Sequence, residues 1–243
     1  MADRYALVTG ASRGIGAAIA FRLASDGYKV LAHCSRLGAG ARLMADLPGE
    51  GHGVVAVDLL ESKAVEGLSA AVEEPLSLLV HNAGIYQPSP CDGADLTVWR
   101  EAWRRQFQVN LFSAADLTFA FLDRLEEGGG SVVHIASRAG HRGEAGFSAY
   151  AASKAAMINL TKSLSIELAP RGIGVFAVAP GWVRTDMAAE ALSARGDAIC
   201  SEIPQGRVAE PEDVANVVAF LAQPESRYLS GICVDVNGGS YLR

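Results

Sequence analysis

The sequence lacks an excess of positive charge. Its 243 residues contain 21 lysines and arginines against 27 aspartates and glutamates, which gives a formal net charge of -6 at pH 7. No basic run interrupts this balance. Binding to nucleic acids or anionic membranes usually relies on clustered lysine and arginine. The composition therefore gives no support to a nucleic-acid partner or to a membrane partner.

Long apolar runs and patterned cysteines are also missing. No apolar run approaches the length of a transmembrane helix. Cys34, Cys91, Cys200 and Cys233 show neither metal-ligand spacing nor the pattern of a small disulfide scaffold. The first predicted strand begins within a few residues of Met1, which leaves no room for a signal peptide. We expect a cytoplasmic protein without a metal centre.

Linkers, low-complexity stretches and internal repeats are absent as well. Hydrophobic residues make up 50% of the chain and charged residues 20%, which is typical of a soluble globular protein. A chain of this length commonly forms one α/β core. We expect residues 1-243 to form a single domain.

Seven short apolar segments are present, each followed by turn residues. They are too short for buried helices and are separated by helical segments, so they predict parallel strands. This alternation indicates a Rossmann-type, doubly wound α/β fold, which binds ligands at the carboxyl ends of its strands. The predicted strands are Tyr5–Thr9, Lys29–Cys34, Val54–Val57, Leu78–His81, Val132–Ala136, Val175–Ala179 and Ile232–Val236.

A glycine-rich turn connects the first strand to the first helix, in the sequence Gly10-Ala11-Ser12-Arg13-Gly14-Ile15-Gly16. The glycines let the backbone approach a pyrophosphate, and the helix start offers free N–H groups. The spacing differs from the usual Gly-x-Gly-x-x-Gly fingerprint. The alternative is an ordinary tight turn, but the strand before it and the helix after it favour a dinucleotide site.

The second strand ends in Ser35-Arg36, where an NAD site usually places a carboxylate for the ribose 2′-hydroxyl. No aspartate or glutamate stands there. Arg36, with Ser35 and with Arg13 of the glycine-rich turn, suits a 2′-phosphate, because guanidinium binds phosphate through several donors. Each arginine alone is a solvated surface charge by default. Together with the missing carboxylate they predict NADP(H).

Polar residues follow several other predicted strands. Asp58 and Asn82 could be helix caps, and Ser137 could be a loop serine, although all three would lie at the ligand-binding edge of the sheet. Asn110 lies among apolar neighbours in the long helical segment between Leu96 and Leu125. Because asparagine is a weak helix former, it is either satisfied by backbone groups or it lines the site.

Tyr150 and Lys154 are four residues apart on a predicted helix and so share one face. A nearby ammonium lowers the pKa of a tyrosine, while burial raises it. We expect the ammonium of Lys154 to dominate and to make Tyr150 usable as an acid. An ordinary helix with a solvated lysine is the alternative for this pair alone. Residues 185-208 carry scattered apolar side chains and predict a substrate lid, or else a helix hairpin packed on the body.

These motifs together resemble the short-chain dehydrogenase/reductase family over nearly the whole chain. Within the family the sequence is most similar to 3-oxoacyl-acyl-carrier-protein reductases. The resemblance implies a seven-stranded parallel sheet in the order 3-2-1-4-5-6-7 with helices on both faces. The motifs that carry it are Thr9-Gly10-x-x-x-Gly14-x-Gly16, Asn82-Ala83-Gly84, Asn110, Ser137, Tyr150-x-x-x-Lys154 and Pro180-Gly181.

The resemblance also implies roles for the catalytic residues. Tyr150 would be the general acid for reduction, Lys154 would lower its pKa and hold the nicotinamide ribose, and Ser137 would bond the carbonyl oxygen. Asn110 would hold a water of the proton relay. His81 departs from the family, which often has another asparagine there.

For the cofactor, the resemblance implies that Asp58 faces the adenine and Asn82 the adenosine ribose. The backbone of Val183, with Thr185, would face the nicotinamide amide and phosphate. The predicted cofactor-binding residues are Gly10, Ser12, Arg13, Gly14, Ile15, Gly16, Ser35, Arg36, Asp58, Asn82, Ala83, Gly84, Tyr150, Lys154, Pro180, Gly181, Val183 and Thr185.

The implied activity is NADPH-dependent reduction of a ketone, with a 3-oxoacyl thioester as the foremost substrate. An NAD(P)-dependent dehydrogenase of a sugar, polyol or small alcohol is the alternative, and a non-catalytic NADP-binding sensor is the alternative of another class. A homotetramer is expected. An acyl carrier protein is a possible partner. Carrier reductases tend to have one basic residue between the fourth helix and the fifth strand and another after the Tyr-Lys helix. This chain has Arg171 in the second place and only Arg124 near the first, so we expect it to bind carrier-bound substrates more weakly than those reductases do.

Overall fold

The computed structural model describes residues 3–242 and contains one sheet of seven strands that are all parallel. The strand order is β3-β2-β1-β4-β5-β6-β7, as the resemblance implies. The predicted strands are all present and are shifted by one or two residues at most. Their bounds are β1 Tyr5–Val8, β2 Lys29–Cys34, β3 Gly53–Ala56, β4 Leu76–His81, β5 Ser131–Ile135, β6 Gly174–Pro180 and β7 Cys233–Val236.

Helices cover both faces of the sheet and connect successive strands, which makes the fold doubly wound. Their bounds are α1 Gly14–Ser25, α2 Leu37–Asp46, α3 Ala64–Ala71, α4 Leu96–Phe107, α5 Ser113–Phe121, α6 Ser148–Leu168, α7 Ala189–Ser201 and α8 Pro211–Leu221. Short 3-10 turns lie at Leu122–Arg124, Arg138–Gly140, Ala169–Arg171 and Pro224–Leu229.

The core has two main layers because successive residues of each strand point to opposite faces. On one face Ile19 of α1 and Val218 of α8 pack with Val80 of β4. On the other face Leu117 of α5 and Leu68 of α3 pack with Leu79 of β4. All six side chains are fully buried. Burying each of these side chains contributes roughly 1.5–3 kcal/mol of transfer free energy. The apolar side chains therefore hold the strands in place between the helices.

The segment from Leu96 to Leu125 differs from the continuous helix that its apolar period predicts. Asp95 caps the start of α4 by accepting from the amides of Thr97 and Val98. The helix then widens into a π-turn at Gln108–Phe112 before α5 begins. Asn110 lies in the centre of that turn, where the regular α-helical hydrogen-bond ladder is interrupted. Such π-turns often mark functional positions.

The topology locates a crevice. The chain passes outward from β1 to β3 on one side and from β4 to β7 on the other, so the order reverses between β1 and β4. Loops that leave the carboxyl ends of β1 and β4 therefore separate there and form a groove. Among residues 3–242 no helix is both long and apolar enough to cross a bilayer.

Candidate active site

A cleft of about 530 Å³ lies at the carboxyl edge of the sheet, within the range of small-molecule sites. It is lined by each of the predicted cofactor-binding residues and by Ser137. Asn110 is the one predicted site residue outside this lining. Over the part of the chain that the structure describes, no group of three or more His, Cys, Asp or Glu side chains is placed to hold a metal ion.

The glycine-rich turn approaches the loop after β4 too closely for side chains. Gly10 has φ +65°, and a Cβ built on it would lie 2.8 Å from the Cα of Ala83. A Cβ on Gly16 would lie 2.3 Å from the carbonyl oxygen of Gly10. These contacts require glycine at both positions. The amino end of α1 therefore faces the cleft with its backbone uncovered, as a pyrophosphate site requires.

Asn82 fastens this turn to β4. Its Nδ2 donates to the carbonyl oxygens of Thr9, at 2.9 Å, and Gly10, at 3.0 Å. The backbone amides of Asn82 and Ala83 in turn donate to Oγ1 of Thr9 at 3.0 Å. The Asn82 side chain thus shapes the glycine-rich turn from behind, and its amide donors are already used within the chain.

His33, on β2, is a part of the site that the sequence analysis missed. Its Nδ1 accepts from the amide of Gly10 at 3.2 Å, and its Nε2 lies 2.9 Å from the carbonyl oxygen of Val57. An amide only donates and a carbonyl only accepts, so the ring must be neutral with its proton on Nε2. Burial lowers the pKa of His33, in agreement with that state. His33 thus connects the glycine-rich turn to the end of β3. The only sign of this role in the sequence is that a polar residue stands within an apolar strand.

Ser35, Arg36 and Arg13 all line the cleft. Arg36 has extended backbone and stands directly before α2. Arg13 forms an ion pair with Asp186 at 3.1 Å, but both side chains are about three-quarters exposed. Such a surface pair is worth only about 0–1 kcal/mol, so Arg13 is readily available to a ligand.

Asp58 follows β3 and lines the cleft. Its Oδ1 accepts from the amide of Leu60 at 3.0 Å and so closes a turn two residues long. Asp58 is not the helix cap that its residue type also suggested, because α3 begins only at Ala64 and is preceded by Lys63.

The Tyr150 hydroxyl lies beside Ser137 in the wall of the cleft. Burial raises the pKa of Tyr150, and a hydrogen bond with Ser137 lowers it by a smaller amount. The expectation that Lys154 brings the pKa down is wrong for this structure, because desolvation of the hydroxyl dominates. Tyr150 is therefore held in its protonated form.

Lys154 is almost completely buried, with 3% of its surface exposed. Its Nζ lies 5.9 Å from the centre of the Tyr150 ring and donates to the carbonyl oxygen of Ile135 at 2.7 Å. Burial lowers the pKa of Lys154 to about 8. A Cβ built on Gly84 would lie 3.6 Å from this Nζ and 3.3 Å from Oδ1 of Asn110. Lys154 and Asn110 therefore converge on the loop after β4.

Asn110 is satisfied within the chain. Its Oδ1 accepts from the amide of Ile85 at 2.8 Å, and its Nδ2 donates to the carbonyl oxygen of Ile85 at 3.0 Å and to Oγ of Ser153 at 3.1 Å. Of the two alternatives left by the sequence, backbone satisfaction is the one observed. Asn110 joins the π-turn to the β4 loop and to α6, directly behind the cleft.

The outer half of the cleft is aromatic. Tyr86 stacks on Phe147 with ring centres 4.0 Å apart and meets Tyr150 edge-on at 4.8 Å. Trp182 and Met187 complete the apolar lining. Sequence reasoning missed these residues because they come from separate loops without a shared period. They form the wall that a substrate would contact.

The segment expected to act as a lid contains α7 and its own small apolar cluster of Ile199, Ile203 and Val208. Helix α7 is kinked at Arg195, which has non-helical backbone angles. The Arg195 guanidinium lies 5.8 Å from the centre of the Trp182 ring. The segment thus touches the aromatic half of the cleft through its kink.

Arg171 and Arg124 lie outside the cleft lining, and the docking role expected of Arg171 stays a prediction. Arg171 precedes β6 and therefore lies at the amino edge of the sheet, where it faces Glu127 at 3.5 Å and donates to the carbonyl oxygen of Leu122. Arg124 donates to backbone carbonyls of Ser69 and Val72. Both guanidinium groups are engaged by their own chain.

Comparison with known proteins agrees with this geometry. A family model described as enoyl-(acyl carrier protein) reductase matches residues 10–241. The 3-oxoacyl-[acyl-carrier-protein] reductase FabG of Vibrio cholerae is 36% identical, over 98% of this chain and 98% of its own length. The Escherichia coli reductase of the same name is 35% identical with the same coverage.

Two solved structures are similar over nearly their whole length. A short-chain dehydrogenase/reductase from Brucella melitensis, described as a glucose/ribitol dehydrogenase, has a TM-score of 0.92 at 32% identity and covers 99% of this chain and 97% of its own. A putative NAD(P)-dependent gluconate 5-dehydrogenase from Beutenbergia cavernae, with bound NADP, has a TM-score of 0.88 at 35% identity and the same coverage.

Proposed function

The chain belongs to the short-chain dehydrogenase/reductase family, and on that premise we propose that it is an NADPH-dependent reductase of ketones. The observation that carries the proposal is the convergence of Ser137, Tyr150 and Lys154 in a cleft that also contains the glycine-rich turn. A carbonyl beside the hydroxyls of Ser137 and Tyr150 would also lie next to a dinucleotide whose pyrophosphate is bound at the amino end of α1.

Bound NADPH would supply the hydride for the carbonyl carbon. Tyr150 would donate its proton to the carbonyl oxygen, and Ser137 would stabilise the developing negative charge with a second hydrogen bond. Lys154, whose pKa of about 8 leaves it mainly protonated at neutral pH, would hold positive charge behind the tyrosine. Asn110 would keep the β4 loop and α6 in register. We also propose that it helps to hold a water of the proton relay behind Lys154.

The proposed cofactor is NADP(H) rather than NAD(H). Arg36, Ser35 and Arg13 line the same cleft, and the carboxylate typical of an NAD site is missing at the end of β2. Guanidinium groups bind a 2′-phosphate and have no such partner in NAD. The similar structure from Beutenbergia cavernae, solved with bound NADP, supports this choice.

The protonated state of Tyr150 is the one that reduction requires, and the relatives support reduction as the proposed direction. A general acid must carry its proton, whereas alcohol oxidation requires the phenolate as base. Because burial raises the pKa of Tyr150, the proton is present at neutral pH. The relatives from Vibrio cholerae and Escherichia coli are 3-oxoacyl-[acyl-carrier-protein] reductases, so a 3-oxoacyl thioester is the proposed substrate.

Oxidation of a sugar or polyol is the second candidate, supported by the descriptions of the two similar structures. Steady-state assays separate the two. NADPH oxidation should be measured with acetoacetyl-coenzyme A, and NADP+ reduction with gluconate, glucose and ribitol at the same pH. The proposal predicts that the thioester has the highest kcat/KM. Turnover of a sugar or polyol alone would assign the protein to the second candidate.

A further inference from the structure

Arg138 has an unusual environment for an arginine. It directly follows Ser137 in the chain, lines the cleft and has only 5% of its surface exposed. Its Nη1 donates to the Ser240 hydroxyl at 2.7 Å. This neutral hydroxyl is the one hydrogen-bond partner of the Arg138 side chain among residues 3–242. The guanidinium has four further N–H donors, and because Arg138 lines the cleft we take them to be available to a bound ligand.

No carboxylate of the described residues forms an ion pair with Arg138. By contrast Arg22, Arg104, Arg184 and Arg207 each pair with a carboxylate although they are far more exposed. Burial is the largest effect on the pKa of Arg138 and lowers it, Arg142 lowers it further, and the charges of Glu144 and Glu202 raise it by smaller amounts. Removing one member of a buried ion pair is strongly destabilising because a lone charge remains. An anion from outside the chain would complete this site.

The position of Arg138 restricts which anion fits. As the chain neighbour of Ser137 it stands close to the place proposed for the reacting carbonyl. The glycine-rich turn is the place proposed for the pyrophosphate of the cofactor. The phosphate of a coenzyme A or phosphopantetheine arm is many bonds away from its thioester carbonyl. A carboxylate a few bonds from the ketone has the right reach, and its two oxygens match the fork of donors on a guanidinium.

We propose that Arg138 binds the carboxylate of an oxo acid, so that the site reduces ketones that carry this group near the carbonyl in addition to thioesters. The inference rests on the proposed reductase function and adds a substrate class to it. Glu144 also lines the cleft, and its charge raises the pKa of Tyr150 as well as that of Arg138. An oxo acid with a single carboxylate would be repelled less by Glu144 than a substrate with two carboxylates.

The test compares acetoacetate with methyl acetoacetate, which share the ketone and differ in charge. kcat/KM is measured with NADPH for the wild type, Arg138→Met, Arg138→Lys and Arg142→Met. Arg142 is a neighbouring arginine outside the cleft lining and serves as the matched control. Arg138→Met should lower the ratio of kcat/KM for acetoacetate to that for its ester by about 10- to 100-fold, as expected for a charge-assisted hydrogen bond. Arg138→Lys should lie between, and Arg142→Met should keep the wild-type ratio.

An unchanged ratio in Arg138→Met, with folding confirmed by thermal melting, would overturn the carboxylate site and assign Arg138 to fastening Ser240. Acetoacetyl-coenzyme A separates this failure from that of the proposed function. If the thioester is reduced while the ratio is unchanged, the reductase stands without the oxo-acid site. If no ketone is reduced by the wild type, the proposed function fails and the oxo-acid site fails with it.

Discussion

At the scale of single residues, some polar groups of the site could be assigned a role from the sequence and others could not. Tyr150, Lys154 and Ser137 were predicted from spacing and from resemblance, and the structure places them in one cleft. The direction of the Tyr150 pKa was predicted wrongly, because burial of a hydroxyl depends on loops far away in sequence. His33 and Arg138 have no motif, and only their contacts in the fold distinguish them from ordinary polar residues.

Arg36 tests the cofactor prediction. Arg36→Ala should raise the KM for NADPH by about tenfold or more while changing that for NADH little, because only NADPH carries the 2′-phosphate and a charged hydrogen bond contributes roughly 1.5–3 kcal/mol. Arg42, an exposed arginine on α2 and outside the cleft lining, is the control. Equal effects on both cofactors would refute the assignment.

His33 tests whether its hydrogen bond to the amide of Gly10 shapes the glycine-rich turn for cofactor binding. His33→Phe leaves the amide of Gly10 without its acceptor, which costs about 1–3 kcal/mol and should weaken NADPH binding by roughly 5- to 150-fold. His52 offers a matched control. It accepts from the amide of Val30 at 3.0 Å, at the start of β2 and away from the cleft. His52→Phe should reduce thermal stability and leave the NADPH Kd nearly unchanged; equal Kd values for the two variants would contradict the account.

The buried histidines also predict how stability depends on pH. Burial lowers the pKa of His33, His81 and His134, that of His134 to about 3. A lowered folded-state pKa means that the unfolded chain binds more protons below pH ~6.5, so stability is complete above that pH and falls as the pH decreases towards the folded-state values. Each histidine contributes a slope of about 1.4 kcal/mol per pH unit in that window. Urea unfolding between pH 4 and 8 measures it, and a flat profile below pH ~6.5 would contradict these pKa directions.

At the scale of elements, the strands were predictable because short apolar runs followed by turns have few alternative structures. The helix from Leu96 was predicted as one continuous segment, and its π-turn was not. Apolar periodicity alone did not reveal the extra residue in the turn around Asn110, and the partners that stabilise this turn, Ile85 and Ser153, come from other parts of the chain. Tertiary hydrogen bonds, rather than local propensity, determine the irregular turn.

Segment 185-208 remains proposed as a lid, and its kink provides the test. Arg195 is exposed and non-helical, so trypsin should cleave there in the unliganded protein. NADPH together with a ketone should slow this cleavage by several-fold, because the kink contacts Trp182 in the cleft. Cleavage followed by mass spectrometry measures the rate, with Arg100 on α4 as the internal reference. Equal rates with and without ligands would favour the packed helix hairpin instead.

At the scale of the whole molecule, two aromatic side chains indicate a partner subunit. Phe119 of α5 is 81% exposed and Phe112 of the π-turn is 49% exposed. Exposed apolar surface of this kind is usually covered in an oligomer. We propose a homotetramer, in which Phe119→Glu lowers the mass measured by light scattering at micromolar concentration. Phe21→Glu is the control, because Phe21 lies on α1 rather than on the helices proposed to meet the partner, and it should leave the mass unchanged. A wild-type monomer would contradict the assembly.

The central claim is that Tyr150 is the proton donor of an NADPH-dependent reductase. The most direct measurement compares NADPH oxidation by wild type and Tyr150→Phe with saturating acetoacetyl-coenzyme A, while NADPH binding is followed by fluorescence. The substitution removes the hydroxyl and keeps the ring, so kcat should fall by about 10²- to 10⁴-fold while the NADPH Kd changes less than about threefold. A variant that keeps the wild-type kcat would contradict the account.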